Sequence, residues 1–357
     1  MAEILTINNL PTLTWNWLKI NSTPFSTDAL FSGDGDPRIS ALPQGVEYER
    51  HANADAYRDL ETGCGKAFGS HFFKDASASL LTVKKGVRAK EPVRIDFDLS
   101  DKSATEAFHI IKAEEGAEIT VIMRYESARA SSGTQILRTI CDAGKDAFIH
   151  LIKVQLLGKG FMQADDIGTT CAEGGRVEVT HVILGGKETY TGAAGALPAF
   201  GSAFKADTAY FCRGEQKLDL NYVVRLSGKK TDCQMTARGT LQDKAAKTYR
   251  GSIDFIKGAA GAAGNEYEEV LLLSPTVVNK SIPLILCGEE DIAGEHGSTI
   301  GKLGDDTLFY MQSRGIAKSE AEMLMARAKI VRIAALIPDE ATVEKINAYL
   351  DEVFSHD

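Results

Sequence analysis

The middle of the chain is built from short runs in which apolar and polar residues alternate. "ITVIMRY" begins at Ile119, "AFIHLIKV" at Ala147, "VEVTHVIL" at Val177, "LDLNYVVR" at Leu218 and "TYRGSIDF" at Thr248, so the starts are 28, 30, 41 and 30 residues apart. Each run follows a polar turn: "EEGAE", "DAGKD", "EGGR", "RGEQK" and "QDKAAK". β-branched residues in period-two alternation, bounded by such turns, predict strands. No long amphipathic helix intervenes, so the recurrence near 30 residues predicts a repeating all-β architecture rather than alternating β-α units. A β-helix or solenoid fits best; a large sandwich or barrel is the alternative.

From about residue 305 the period becomes helical. Asp305 and Asp306 precede "TLFYMQSR", and Gly315 stands where a helix takes its C′ residue. Ser319 and Glu322 have the spacing of a capping box. Met323, Ala326, Ile330, Ile333 and Ile337 then form one apolar stripe that Pro338 ends, and Val343, Ile346, Leu350 and Val353 repeat it. Before the strand-rich zone, "TWNWLKIN" predicts a short helical turn with Trp15 and Leu18 on one side. "NADAYRDLE" predicts a helix with Ala54, Tyr57 and Leu60 in register. The expected organisation is a mixed N-terminal region over 1–75, a β core over 76–304 and a small helical domain over 305–357.

Charge narrows the function classes. With 40 basic and 49 acidic residues the net charge is −9, against the concentrated basic face that nucleic-acid binding needs. The longest apolar runs, "VLLLSPTVV" and "IVRIAALI", fall short of a membrane span, and the N-terminus has no secretory pattern, so a cytoplasmic protein without membrane attachment is expected. The tail is polarised: five basic residues against two acids over 307–332, a net of +3, then six acids and one lysine over 333–357, a net of −5. Such a pattern is a solvated face or a docking surface for an acidic partner.

Candidate chemistry is sparse. Six cysteines show no C-x-x-C pairing, so five of them are expected to be buried small hydrophobes. "GAAGAAG" from Gly258 is followed by a strand rather than a helix, so it reads as an inter-strand loop and not a nucleotide loop. "ADD" at Ala164–Asp166 and "EED" at Glu289–Asp291 are the acidic doublets a carbohydrate-cleaving β-helix enzyme would use, and that enzyme is the rival functional class. In "GEHGSTIG", His296 stands in an expected turn with Glu295 beside it and Cys287 nine residues upstream. Imidazole, thiolate and carboxylate together suit iron or zinc; a solvated turn histidine is the other reading.

Residues 248–330 resemble the SufB/SufD family of iron–sulfur cluster assembly scaffold proteins. The resemblance is carried by "YRGSIDFIKGAAG", by "VLLLSPTVVNKSIPLILCGEEDIAGEHGSTIGKLGDDTLFYMQSRGI" and by "SEAEMLMARA". It implies a right-handed parallel β-helix core and a C-terminal helical domain that docks SufC, an ABC-type ATPase. It further implies a non-enzymatic scaffold in which B-type and D-type subunits pair through their β-helix ends, with a homodimer or a single-scaffold assembly as alternatives. The B-type cysteine three residues before the leucine run is replaced here by Glu268, and the B-type acid after the histidine by Gly297. His296-Gly297 matches the D-type pattern, although Gly294 stands where many D-type members carry cysteine. The resemblance therefore implies a D-like subunit. In it His296 would be a ligand to an iron–sulfur cluster or iron, transient and shared with the partner; Glu295 would orient it, and Cys287 would be an auxiliary ligand or a core residue. The SufC dock would lie over Leu308–Ile330, with Leu308, Phe309, Tyr310, Arg314 and Arg327 in contact.

Overall fold

The computed structural model describes residues 3–14 and 16–354. At its start β1 (Leu5–Ile7) and β2 (Thr23–Phe25) form a small antiparallel pair. Then come β3 (Arg38–Ile39), β4 (Val46–Ala52) and α1 (Lys66–Phe72). The core follows as β5 (Ala78–Val83), β6 (Val93–Asp98), β7 (Ala104–Ala113), β8 (Glu118–Glu126), β9 (Ser132–Ala143) and β10 (Phe148–Leu157). It continues through β11 (Gly160–Cys171), β12 (Arg176–Gly185), β13 (Glu188–Leu197), β14 (Ala203–Cys212) and β15 (Lys217–Leu226). Last are β16 (Asp232–Leu241), β17 (Ala246–Phe255), β18 (Ala262–Leu272), β19 (Val278–Cys287) and β20 (Ile292–Gly301). Helices α2 (Asp305–Ser313), α3 (Lys318–Ala334) and α4 (Glu340–Phe354) close the described chain.

From β5 to β20 each strand pairs in parallel with the strand two places on. Even-numbered strands build one sheet (sheet I) and odd-numbered strands the other (sheet II), so two strands make one coil of a right-handed parallel β-solenoid of about eight turns. The repeat near 30 residues is one coil. The single interval of 41 is the step from β12 on sheet I to β15 on sheet II. One edge is a ladder of left-handed residues, one per coil: Gly86, Gly116, Asp146, Gly174, Gly201, Lys230 and Gly261, all with positive φ. Each donates its N–H to the carbonyl just before its counterpart in the next coil, as Gly116 does to Lys145 at 2.8 Å and Gly201 to Lys229 at 3.0 Å. Glycine occupies most rungs because only glycine takes this backbone without a Cβ penalty.

Inward-facing side chains from both sheets form one continuous apolar core. The outer faces are covered too. On sheet II lie Ile7, Phe25, Cys64, Phe68 and Phe73 of the N-terminal region, against Phe108, Ile110, Ile136 and Ile140. On sheet I lie Ala326, Ile330, Ile333, Ile346, Leu350 and Val353, against Ile152, Val154, Val182, Leu184 and Phe211. The central strands are therefore buried on both faces, as the strands of parallel sheets covered on each side are. Strand β13, "ETYTGAAGAL", is small-residued for a related reason: a Cβ on Gly192 would sit 2.4 Å from the carbonyl carbon of Gly63, where the N-terminal segment crosses the sheet.

Several local expectations are corrected. "NADAYRDLE" holds only a 3₁₀ turn at Asp55–Tyr57, while the helix of this region is α1, which the pattern did not reveal. Of "TWNWLKIN", Asn16–Leu18 forms a 3₁₀ turn, and Trp15 lies outside the described residues. Helix α3 begins at Lys318 with Ala317 as N-cap and no side-chain cap, so Ser319 lies inside its first turn rather than capping it. Gly315 does close α2: at φ +85° it donates to Gln312 O at 2.9 Å while Ile316 donates to Met311 O at 3.1 Å, the paired bonds of a Schellman ending. Both apolar stripes of the tail are buried as patterned, from Ala326 to Ile337 and from Ile346 to Val353.

Candidate functional site

The two ends of the solenoid differ. At the first coil β3 and β4 run antiparallel to β6 and β5 and cap the sheets. At the last coil β19 and β20 each pair on one side only, and β20 is exposed along almost its whole length. Pro283 within β19 fits this position, since a residue without an N–H is confined to edge strands.

His296 lies here, in the middle of β20, and not in a turn. In-register parallel pairing stacks like-facing side chains, so its column can be followed through the molecule: Val121, Leu151, Val179, Ala206, Met235, Glu266, His296. The first six are buried, which puts His296 on the core-facing side of a coil that no further coil covers. Glu295 is in register with the exposed Asn265, and successive strand residues point to opposite faces. The acid beneath the histidine is therefore Glu266 rather than its sequence neighbour. Cys287 ends β19 in the column of Phe255, exposed, and is the sole cysteine of the six that is not buried. Burial pushes the Cys141 and Cys212 thiols up to about 12, leaving them inert at neutral pH. Among the described residues no three of His, Cys, Asp and Glu converge well enough to hold a metal ion.

One coil below the open end is a polar layer that the sequence reading did not anticipate. Glu266 is 4% exposed, and its Oε2 has no hydrogen-bond partner. Burial, reinforced by the neighbouring Glu268, raises its carboxyl to about 7. Lys247 Nζ is ion-paired to Glu268, donates to Ser281 Oγ at 3.2 Å and lies 5.6 Å from the Tyr249 ring centre. Burial lowers the Lys247 ammonium pKa although Glu268 opposes it. The signal was present in "GNEYEEV", where Glu266 and Glu268 alternate with Asn265, Tyr267 and Glu269 in strand period.

The acidic doublets do not form a catalytic pair. Asp165 faces inward, bound to Lys153 Nζ at 2.5 Å. Asp166 faces outward, held by Arg138 at 3.0 Å and by the Cys64 N–H at 2.8 Å. Glu289 and Asp291 lie in the turn between β19 and β20.

At the proposed partner face, Phe309 is 75% and Tyr310 59% exposed, with Arg314 stacked over the Tyr310 ring at 5.3 Å. Leu308 is half-buried. Arg327 is engaged within the tail by Asp351 and by Asn347 at 3.2 Å, and Lys329 by Glu269 of β18, so much of the basic excess is neutralised internally. Among the described residues no helix is long and apolar enough to cross a membrane.

Fold and site together define a β-solenoid protein with one capped end and one open end, where polar donors line the rim. The sequence matches the family described as SUF system FeS cluster assembly, SufBD core domain, over residues 98–329. The chain belongs to that family. It is 22% identical over 278 residues to the iron–sulfur cluster assembly protein SufD of Bacillus subtilis, covering 76% of this chain and 63% of that protein. It is also 22% identical over 273 residues to a SufBD family protein of Staphylococcus saprophyticus, covering 75% of this chain and 58% of that one. A SufBD family protein of Mycobacterium leprae is 27% identical over 114 residues, 32% of this chain and 13% of its own length. The chain thus spans about three fifths of the first two relatives.

Proposed function

We propose that this protein is a SufD-like, non-catalytic scaffold subunit of an iron–sulfur cluster assembly complex, joining a SufB-type subunit through its open end and docking a SufC-type ATPase on its tail. The observation that carries this reading is the last coil, where β19 and β20 offer unpaired edges and His296 extends the inward column with nothing stacked above it. An imidazole, a thiol and a half-assembled carboxylate layer are donors that suit iron, and too few converge to hold it alone. The remaining ligands would come from the facing subunit. Glu266, in register beneath the histidine, rather than Glu295, would be the acid placed to orient His296.

His296→Ala should lower the iron–sulfur content of the anaerobically purified complex. It should change the stability of the isolated chain by no more than about 0.5 kcal/mol, as is usual for an exposed side chain. A complex that assembles and keeps its full cluster with this variant would place the ligands wholly on the partner.

The ATPase dock is proposed for α2 and the adjoining turn. Removing residues 305–357 would not test it cleanly, because α3 and α4 cover the apolar outer face of sheet I. The exposed Phe309 and Tyr310 allow a better experiment. Phe309→Ala with Tyr310→Ala should weaken co-purification with the ATPase by about tenfold or more, the effect of losing aromatic anchors. Unchanged retention would move the dock off α2.

A further inference from the structure

Along the edge where the chain passes from sheet I to sheet II, successive turns stack basic residues. Arg129, Lys159 and Lys187 follow β8, β10 and β12, and Arg213 and Lys217 flank the next turn. Backbone hydrogen bonds tie neighbouring turns together: the Lys159 N–H donates to Arg129 O at 3.1 Å, the Lys187 N–H to Phe161 O at 2.6 Å and the Lys217 N–H to Lys187 O at 3.0 Å. These five cations line a cavity of about 740 Å³ together with Glu188, Glu215 and Asp243.

The three carboxylates already have partners. Glu188 accepts from Tyr190 at 2.7 Å and from Lys217 at 3.4 Å, Asp243 accepts the Gly214 N–H at 2.8 Å, and Glu215 lies 3.6 Å from Lys244 outside the cavity. Lys159 and Lys187 are exposed, and neither makes a side-chain hydrogen bond or an ion pair among the described residues. Arg129 is 3.0 Å from Glu352, yet its buried Nη1 has no acceptor in hydrogen-bonding geometry. A cation-rich hollow on a chain of net charge −9 is selective for anions. Its volume falls in the range of small-molecule sites, about 300–1,000 Å³. Neighbouring coils lie about 4.8 Å apart, a spacing at which the ammonium groups of Lys159 and Lys187 can reach adjacent phosphoryl groups.

We propose that this cavity binds a small polyanion of the diphosphate class, held chiefly by Lys159 and Lys187 with Arg129 at the rim. The site stands apart from the open end and is independent of the scaffold reading.

The test is calorimetric titration of the full chain with inorganic pyrophosphate at low ionic strength, with ADP and citrate as parallel arms. Saturable binding of pyrophosphate or ADP is expected, weakened by added salt. Lys159→Gln with Lys187→Gln should weaken it about tenfold, while Lys159→Arg with Lys187→Arg keeps it. Lys145→Gln, on the opposite turn edge, should leave it unchanged. A preference for ADP over pyrophosphate would identify a nucleotide as the source of the diphosphate. Absence of saturable binding by either phosphate, equal affinity in the double Gln variant, or binding of citrate alone would each overturn the assignment.

Discussion

Lys153→Met is expected to cost about 3–5 kcal/mol of stability, the scale at which breaking a buried ion pair leaves a charge without compensation. Lys153 and Asp165 are both fully enclosed, on facing strands β10 and β11, and are joined at 2.5 Å. The ammonium also lies 5.7 Å from the Tyr125 ring centre. Without it the Asp165 carboxylate would face only His181, whose Nε2 is 3.9 Å from Asp165 Oδ2 and makes no hydrogen bond. Burial already raises the Asp165 pKa against the opposing pull of Lys153. The variant's deficit should therefore be largest at neutral and alkaline pH and should shrink in acid, where Asp165 can fold neutral. Replacing both partners, Lys153→Met with Asp165→Leu, should recover most of the loss. Urea unfolding of the two variants separates the outcomes: equal midpoints for the single variant and the wild type would mean that water reaches the pair.

The second large effect is acid sensitivity. His109 and His181 are buried on the inner faces of the solenoid, and burial, with Lys153 adding to it, depresses both to about 3 from an ordinary 6.5. A group depressed on folding contributes stability that is present above its unfolded pKa and is lost as pH falls towards the folded one. The relevant window runs from about pH 6.5 down to about 3. Within it each histidine takes up one proton more in the unfolded chain than in the folded one, worth about 1.4 kcal/mol per pH unit. His181→Leu should lower the slope of stability against pH by about one proton across that window. His109 differs in having a partner, with Ser79 Oγ 2.6 Å from its Nδ1, so its replacement should also cost stability at neutral pH. An unchanged slope in the His181 variant would show that the ring is already charged in the folded protein.

The repeat was legible because each coil satisfies the same turn geometry, and the turns carry glycine. Two of the strands that escaped notice, β11 and β13, have their outer faces covered by the N-terminal region. Their outward positions are small or ion-paired rather than polar: Gly192 under Gly63, Asp166 under Arg138 and Cys64. Period-two alternation is lost along these two strands. The N-terminal region was read least well, since it is held by contacts hundreds of residues away. Asp219 accepts from Asn8 at 2.7 Å and Arg250 donates to Ile20 O at 2.7 Å, partners no local pattern announces. At the open end His296 was visible from its residue type and motif, but Glu266 was not. Its relation to the histidine exists only through the register of β18 and β20, and adjacency in sequence pointed instead to Glu295.

The inequality of the two ends bears on assembly. Antiparallel β3 and β4 end the two sheets at the first coil, while β19 and β20 end them with full-length parallel strands at the last. Exposed strand edges usually threaten runaway association, because each added chain offers a fresh edge to the next. A chain that joined another through its last coil would use up the edge it offers there. The two ends are thus unequal in what they offer: two and seven residues of antiparallel edge in β3 and β4 at the first coil, against ten each in β19 and β20 at the last.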